Sequence, residues 1–374
     1  MECVLTKIVH LTSVHPPFDI RIFYKECVSL AEAGYEVVVI AQHDGDAFAK
    51  GVAVRAIPKA GSQVKRMTRT VFQVLRQAIA EDASLYHFHD PELIPVGIAL
   101  KLMGRRVVYD VHENVPEDIL TKDYIPSCLR QWVAGMAGLV EHLGAKWLDG
   151  VVAVTPNICR RFPPVKTVLV RNFPVAEELM PSPSNAYDRR PPFLIYAGRI
   201  SIDRGIGEMV QAMALLPDRL EAKLLLAGVF TPEDLSDHVF GMKGAERIDF
   251  RGLLPRSDLR SLFGEARIGL ALLRPGPNQS DSYPNKLFEY MAAGIPVVAS
   301  HFPMWREIVE KAGCGLLVDP LNPRAIAEAI EWLLEHPEEA AVMGRKGMQA
   351  VSADFNWAKE VRKLCQFYQS LLGA

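Results

Sequence analysis

Arg199 and Arg204 stand in the segment Gly198-Arg199-Ile200-Ser201-Ile202-Asp203-Arg204-Gly205, directly after the apolar run Phe193 to Ala197 and before a stretch with helical periodicity. A strand, a tight loop and a helix entrance in that order bring two guanidinium groups together with free backbone N–H donors from Gly198 onward. That combination suits a diphosphate. The competing reading is a surface turn with solvated arginines. A second segment runs from Asp281 through Tyr283, Pro284, Asn285, Lys286 and Glu289 to Gly294, the proline suited to a first helical turn and the glycine to a helix end. Its amino-terminal N–H groups would form a second anion site. Asn285 and Glu289, four apart, share one face, from which Glu289 can accept hydrogen bonds from a ribose. A helix that merely covers a sheet, with its glutamate in water, is the alternative.

The first half carries polar clusters at the ends of two expected strands, Tyr86-His87-Phe88-His89-Asp90-Pro91-Glu92 and Tyr109-Asp110-Val111-His112-Glu113-Asn114. His87, His89, Asp90, His112 and Glu113 are residue types that read carbohydrate hydroxyls and move protons. They are also common as satisfied structural groups. Histidines are metal ligands too, but one ring of the His87/His89 pair is expected inward and the other outward, so no metal site is expected. Upstream, Asp19 and Arg21 mark the entrance of a helix after His15-Pro16-Pro17, as acceptor-side candidates; a plain N-cap is the alternative for Asp19.

These residues need a frame, and short apolar runs alternating with helical periodicity supply one of class α/β with parallel sheets. Strands are expected near Lys7–Ser13, Glu36–Ala41, Leu85–His89, Arg106–Asp110, Gly150–Val154 and Thr167–Val170. A second series falls near Phe193–Ala197, Lys223–Ala227, Arg247–Phe250, Ile268–Leu272 and Pro296–Ser300. The proline-rich stretch between them breaks the pattern. The expected division is therefore a domain over 1–175, a linker over 176–192, a second domain over 193–355, and a terminal helix over 356–374 packing across the first domain. Ligands of doubly wound sheets sit outside the carboxyl ends of the strands, here in a cleft between domains.

At 374 residues, with 49% hydrophobic and 23% charged residues, the chain is an ordinary globular protein large enough for two domains. Its 42 basic and 44 acidic residues leave a net charge of −2, so no global field attracts nucleic acid. Six scattered cysteines read as reduced thiols of a cytoplasmic protein, and no run is long and apolar enough to span a membrane. One local bias departs from neutrality. Between Asp46 and Glu81 the charged residues are all basic, and on a helix from Val64 to Ile79 residues Lys65, Arg69 and Arg76 would share a face opposite Val64, Met67, Val71, Leu75 and Ala78. Segment 50–76 is thus a candidate contact for an anionic membrane surface or a lipid-linked diphosphate, with a solvated helix face as the alternative. A stripe from Leu129 through Trp132, Met136 and Leu143 to Trp147 has helical spacing and is expected to pack into the core.

Taken together, YAGRISIDRG, SDSYPNKLFEYMAAGIPVVAS, HPPFDIRIFYKECVSLAEAGYEV, YHFHDPEL and VVYDVHEN resemble the retaining glycosyltransferases of family 4, nearly end to end. The resemblance implies the GT-B fold of two facing Rossmann-like domains. It implies diphosphate binding by Arg199 and Arg204, although lysine is usual at the second position. The family's paired glutamates fall on Asp281 and Glu289. His112 matches the histidine beside the donor sugar, and Gly252 and Leu254 match the loop whose backbone reads the nucleobase. The first loop lacks the family's usual glycine pair, and Val229-Phe230 follows Gly228 where a second glycine is usual.

The implied activity is metal-independent, retaining transfer from a nucleoside-diphosphate sugar, expected to be a UDP-sugar, to a glycan or lipid-linked acceptor in polysaccharide synthesis. No cofactor besides that donor is expected. The expected setting is the cytoplasm, peripheral at the inner face of the membrane. A nucleotide-sugar epimerase on the same fold and a non-catalytic nucleotide- or glycan-binding scaffold are the rival readings. A dehydrogenase is disfavoured, because no G-x-G-x-x-G follows a strand near either domain's start.

Overall fold

The computed structural model describes residues 6–62, 65–122, 125–180, 187–276, 279 and 282–373. They divide into two compact units, one of residues 1–172 with 358–374 and the other of residues 173–357.

The first unit is built on β1 (Lys7–Leu11), β2 (Glu36–Gln42), β3 (Ala47–Ala49), β4 (Val52–Ile57), β5 (Leu85–Phe88), β6 (Arg106–Val111), β7 (Gly150–Ala153) and β8 (Thr167–Leu169). They form one sheet in the order β3-β4-β2-β1-β5-β6-β7-β8, parallel except for the β3–β4 pair. Strand alternation sends successive side chains to opposite faces. On one face His10 and His87 meet a π-helical segment, Ile20–Cys27, which runs on into α1 (Val28–Glu32), and the C-terminal helix Trp357–Leu372. Tyr368 of that helix lies with its hydroxyl 2.5 Å from His87 Nδ1, and Glu360 accepts from the Arg171 N–H at 2.9 Å. The other face buries Val9, Leu11, Phe88 and Tyr109 under α2 (Val71–Glu81), α3 (Ile94–Leu102) and, beyond α4 (Val115–Leu120), the long α5 (Ser127–Trp147).

The second unit contains β9 (Phe193–Ala197), β10 (Lys223–Ala227), β11 (Ile248–Gly252), β12 (Ile268–Ala271), β13 (Val297–Ser300) and β14 (Gly315–Val318), all parallel in the order β11-β10-β9-β12-β13-β14. Four of its helices are α6 (Ile206–Leu215), α7 (Asn285–Ala292), α8 (Pro323–Glu335) and α9 (Pro337–Ala353). Helices α6 and α8 share one core with Leu194, Tyr196 and Leu226, while α7 packs with Ile195, Ala271 and Val297 in the other. Both units are therefore doubly wound α/β layers.

Three features depart from the sequence reading. Strands β3, β4 and β14 are additional. Within the linker expected over 176–192, Ala176 and Leu179 are buried in the core of the second unit, and so is Phe173, expected in the first domain, which stacks edge-on to Phe288 and Phe355. The stripe on α5 does not enter a core: Trp132 is 70% exposed and Trp147 61%. No helix among the described residues is long and apolar enough to cross a membrane.

Candidate functional site

In the second unit the carboxyl ends of β9, β10 and β11 are tied together through glycines. The Gly198 N–H donates to Ala227 O at 2.9 Å, and the Gly228 N–H donates to Gly252 O at 2.8 Å. Gly228 has φ +146°, and a Cβ there would overlap the Gly198 carbonyl, so only glycine fits. Gly198 and Gly205, at φ +128° and +72°, let the loop turn sharply into α6. The loop is held from below by Tyr196, whose hydroxyl donates to Arg199 O at 2.6 Å.

Lys286, in the first turn of α7, is the central group. Its side chain is buried, its Nζ lies 3.4 Å from the centroid of the Tyr196 ring, and that Nζ makes no hydrogen bond among the described residues. It abuts Gly198, where an added Cβ would come within 3.9 Å of it. Burial, and then repulsion from Arg204, outweigh the attraction of Glu289 and Asp203 and, with a smaller repulsion from Arg199, hold the Lys286 pKa well below the usual lysine value. A buried amine with no hydrogen-bond partner among the described residues, beside two arginines, is a candidate anion site.

Around it, Arg199 and Gly198 are exposed and Arg204 is half-buried, its Nε 3.9 Å from Asp203. Glu289 lies 3.8 Å from Arg256, which also binds Glu178 at 2.9 Å. Arg256 is a member of this surface that the sequence reading missed, since nothing local in RSDLR marks it. Pro284 is buried at the N-cap of α7 and Asn285 is exposed. Tyr283 packs against Phe173 and Phe288, and Leu254 packs partly buried on the same core, with Gly252 at the end of β11. Asp281 lies outside the described residues. A cavity of about 560 Å³ lined by Phe193, Lys223 and Arg247 opens at the amino ends of the strands and contains none of these groups.

In the first unit the polar clusters converge, but inward. Arg21, 4% exposed, donates from Nε and Nη2 to the two oxygens of Asp110, both at 3.1 Å, and lies 3.0 Å from Glu26. Asp110 Oδ2 is 3.2 Å from His89 Nδ1 and 2.8 Å from His112 Nε2, and His89 Nε2 is 2.9 Å from His10 Nδ1. Burial opposes the Asp110 carboxylate, yet Arg21, then His112 and His89, hold its pKa well below the usual range. Burial, with the Asp110 charge adding to it, raises Glu26 well above its usual value despite Arg21. His10 and His87 are pushed well down by burial, and His89 by burial to about 4, so these three rings are neutral.

Several acceptor-side expectations are corrected by this. Arg21, His87, His89 and Asp90 are buried and cannot touch a carbohydrate; Asp90 accepts instead from Thr12 Oγ1 at 2.8 Å and Ser13 N at 2.6 Å. Asp19 is the N-cap, accepting from the Arg21 and Ile22 N–H groups at 2.8 and 2.9 Å. His87 and His89 lie on the same face, as residues two apart on a strand must, so the inward-and-outward expectation was wrong. His112, Glu113 and His15 remain accessible, His15 stacking 5.4 Å from His112. His10, Glu26, His87 and His89 offer metal-ligand types within 4.8 Å of one another, and among them His10 Nδ1 bonds to His89 Nε2 and His87 Nδ1 to the Tyr368 hydroxyl.

Comparison with known proteins follows this division. The family "Glycosyl transferase 4-like domain" matches residues 21–172, and "Glycosyl transferases group 1" matches residues 181–350. An uncharacterized glycosyltransferase of Methanocaldococcus jannaschii is 25% identical over 184 residues, 48% of this chain and 46% of that protein. The match spans about half the length of such curated relatives. In fold, sucrose-phosphate synthase of Thermosynechococcus elongatus matches with a TM-score of 0.79 at 20% identity, over 98% of this chain and 99% of the other. Anabaena HepE, solved with UDP-glucose, matches with a TM-score of 0.73 at 18% identity, over 97% and 99%. With a family match on each unit and the GT-B architecture throughout, the chain belongs to the group 1, family 4 type of glycosyltransferases.

Proposed function

We propose that the chain moves a sugar from a nucleoside-diphosphate sugar, a UDP-sugar, to a hydroxyl of a glycan or lipid-linked glycan, with retention and without a metal ion. The observation that carries this reading is Lys286, a buried amine with no hydrogen-bond partner among the described residues, beside Arg199 and Arg204 at the carboxyl end of β9. As the bond between the anomeric carbon and the β-phosphate oxygen breaks, negative charge collects on the departing diphosphate. Three cations and the N–H groups opening α7 are placed to stabilise it. The acceptor oxygen bonds to the anomeric carbon on the face that the diphosphate leaves, and a phosphate oxygen takes the acceptor proton. Glu289 is the proposed ribose ligand. His112, its Nε2 fixed by Asp110, presents Nδ1 away from the cluster as a reader of sugar hydroxyls. HepE, solved with UDP-glucose, supports the donor class. Free thiols at Cys27, Cys128, Cys159, Cys314 and Cys365 support a cytoplasmic setting.

Incubation with UDP-sugars, with and without glycan acceptors, tests this. UDP release that depends on acceptor is expected, and Arg204→Ala should lower turnover by about 10²–10³. Isomerised sugar from donor alone would make the protein an epimerase, and nucleotide binding without turnover would make it a scaffold.

A further inference from the structure

We propose that the first unit docks on an anionic lipid bilayer through the exposed stripe of α5, lying in the plane of the interface. Leu129, Trp132, Met136, Leu139, Leu143 and Trp147 are each between 44% and 70% exposed. At 100° per residue they fall within an arc of about 100° and extend about 27 Å along the helix. The inward side of the helix is already occupied, since Ala134, Glu141, Gly144 and Ala145 are buried against the unit. The stripe is thus a second apolar face on a helix whose first is satisfied. A tryptophan sits near each end, the residue type whose apolar body and N–H donor suit the headgroup boundary.

Charge selects the occupant. The one acidic residue of α5, Glu141, is buried and bound to Tyr109 and Arg161, so the charges flanking the stripe, Arg130 and Lys146, are positive. In the same helix layer, the segment entering α2 and α2 itself expose Phe72 at 66% together with Lys65, Arg69 and Arg76, which form no ion pair among the described residues. Other basic residues of segment 50–76 are spent, Arg55 on Glu81 and Asp46, Lys59 on Asp44, and Arg66 on Glu92. Met67, expected on the packed face of α2, is 55% exposed instead. A second copy seated on α5 would bring the like charges of Arg130 and Lys146 together. Anionic headgroups match them directly.

This inference does not depend on sugar transfer. Flotation of the full chain with vesicles of phosphatidylcholine, alone or mixed with phosphatidylglycerol, tests it. The wild type should float with the mixed vesicles, less so at high salt. Trp132→Gln with Trp147→Gln should weaken partitioning at least tenfold while the melting temperature stays unchanged. Arg69→Glu with Arg76→Glu should remove the preference for anionic lipid. Equal flotation of the tryptophan variant and wild type would overturn the proposal. So would a lipid-independent dimer that the tryptophan changes dissolve, with no flotation of either form.

Discussion

Lys286 makes the unliganded protein less stable than its packing would allow, because its amine is buried with no acceptor among the described residues. Replacing it by methionine, which fills similar space without a donor, should stabilise the unliganded protein by about 1–3 kcal/mol. A calorimetric melt that falls instead would contradict this. The sign of the pH effect is fixed by the same group. Its folded pKa lies below the unfolded lysine value, so the unfolded chain binds more protons between the two, and the contribution of Lys286 to stability improves as pH rises through that window. A bound diphosphate favours the charged form and raises that pKa again. Titrations of UDP in buffers of different ionisation heat, across the alkaline range, should show proton uptake on binding that is smaller in Lys286→Met. In the first unit, Asp110→Ala removes both oxygens that accept from the buried Arg21 guanidinium and should cost about 3–5 kcal/mol in chemical denaturation.

Strand ends and helix starts set where these groups lie. Gly228→Ala forces a Cβ into the Gly198 carbonyl, so the β9 and β10 turns must separate; circular dichroism melts should show a marked loss of stability and nucleotide binding should fall with it. Much of this element was legible beforehand, because β9, the arginine loop, α6 and the α7 helix with its closing Gly294 are contiguous motifs with local signals. What was not legible depends on partners distant in sequence. Lys286 is enclosed by Tyr196 and Gly198, and Arg21 is held inside by Asp110 on β6. The stripe on α5 shows a different limit: helical periodicity reveals an apolar face but not whether a sheet or solvent meets it. Phe173 was assigned to the wrong side of the boundary because its aromatic partners, Phe288 and Phe355, lie far along the chain.

At the scale of the whole molecule, each unit carries its own polar assembly, a cationic anion site in the second and a histidine–carboxylate cluster in the first. The C-terminal helix completes the first unit, since Tyr368 and Glu360 supply partners to His87 and Arg171. A chain ending before residue 358 should lose that unit's cooperative unfolding while the second unit, whose core is its own, still binds nucleotide. The account rests most heavily on the cations around Gly198 forming one diphosphate site. Isothermal titration of UDP into the full chain, Arg204→Ala and Lys286→Met tests this directly. Saturable binding by the wild type, weakened at least tenfold in both variants, is the expected result; UDP binding by Lys286→Met with wild-type affinity would contradict it.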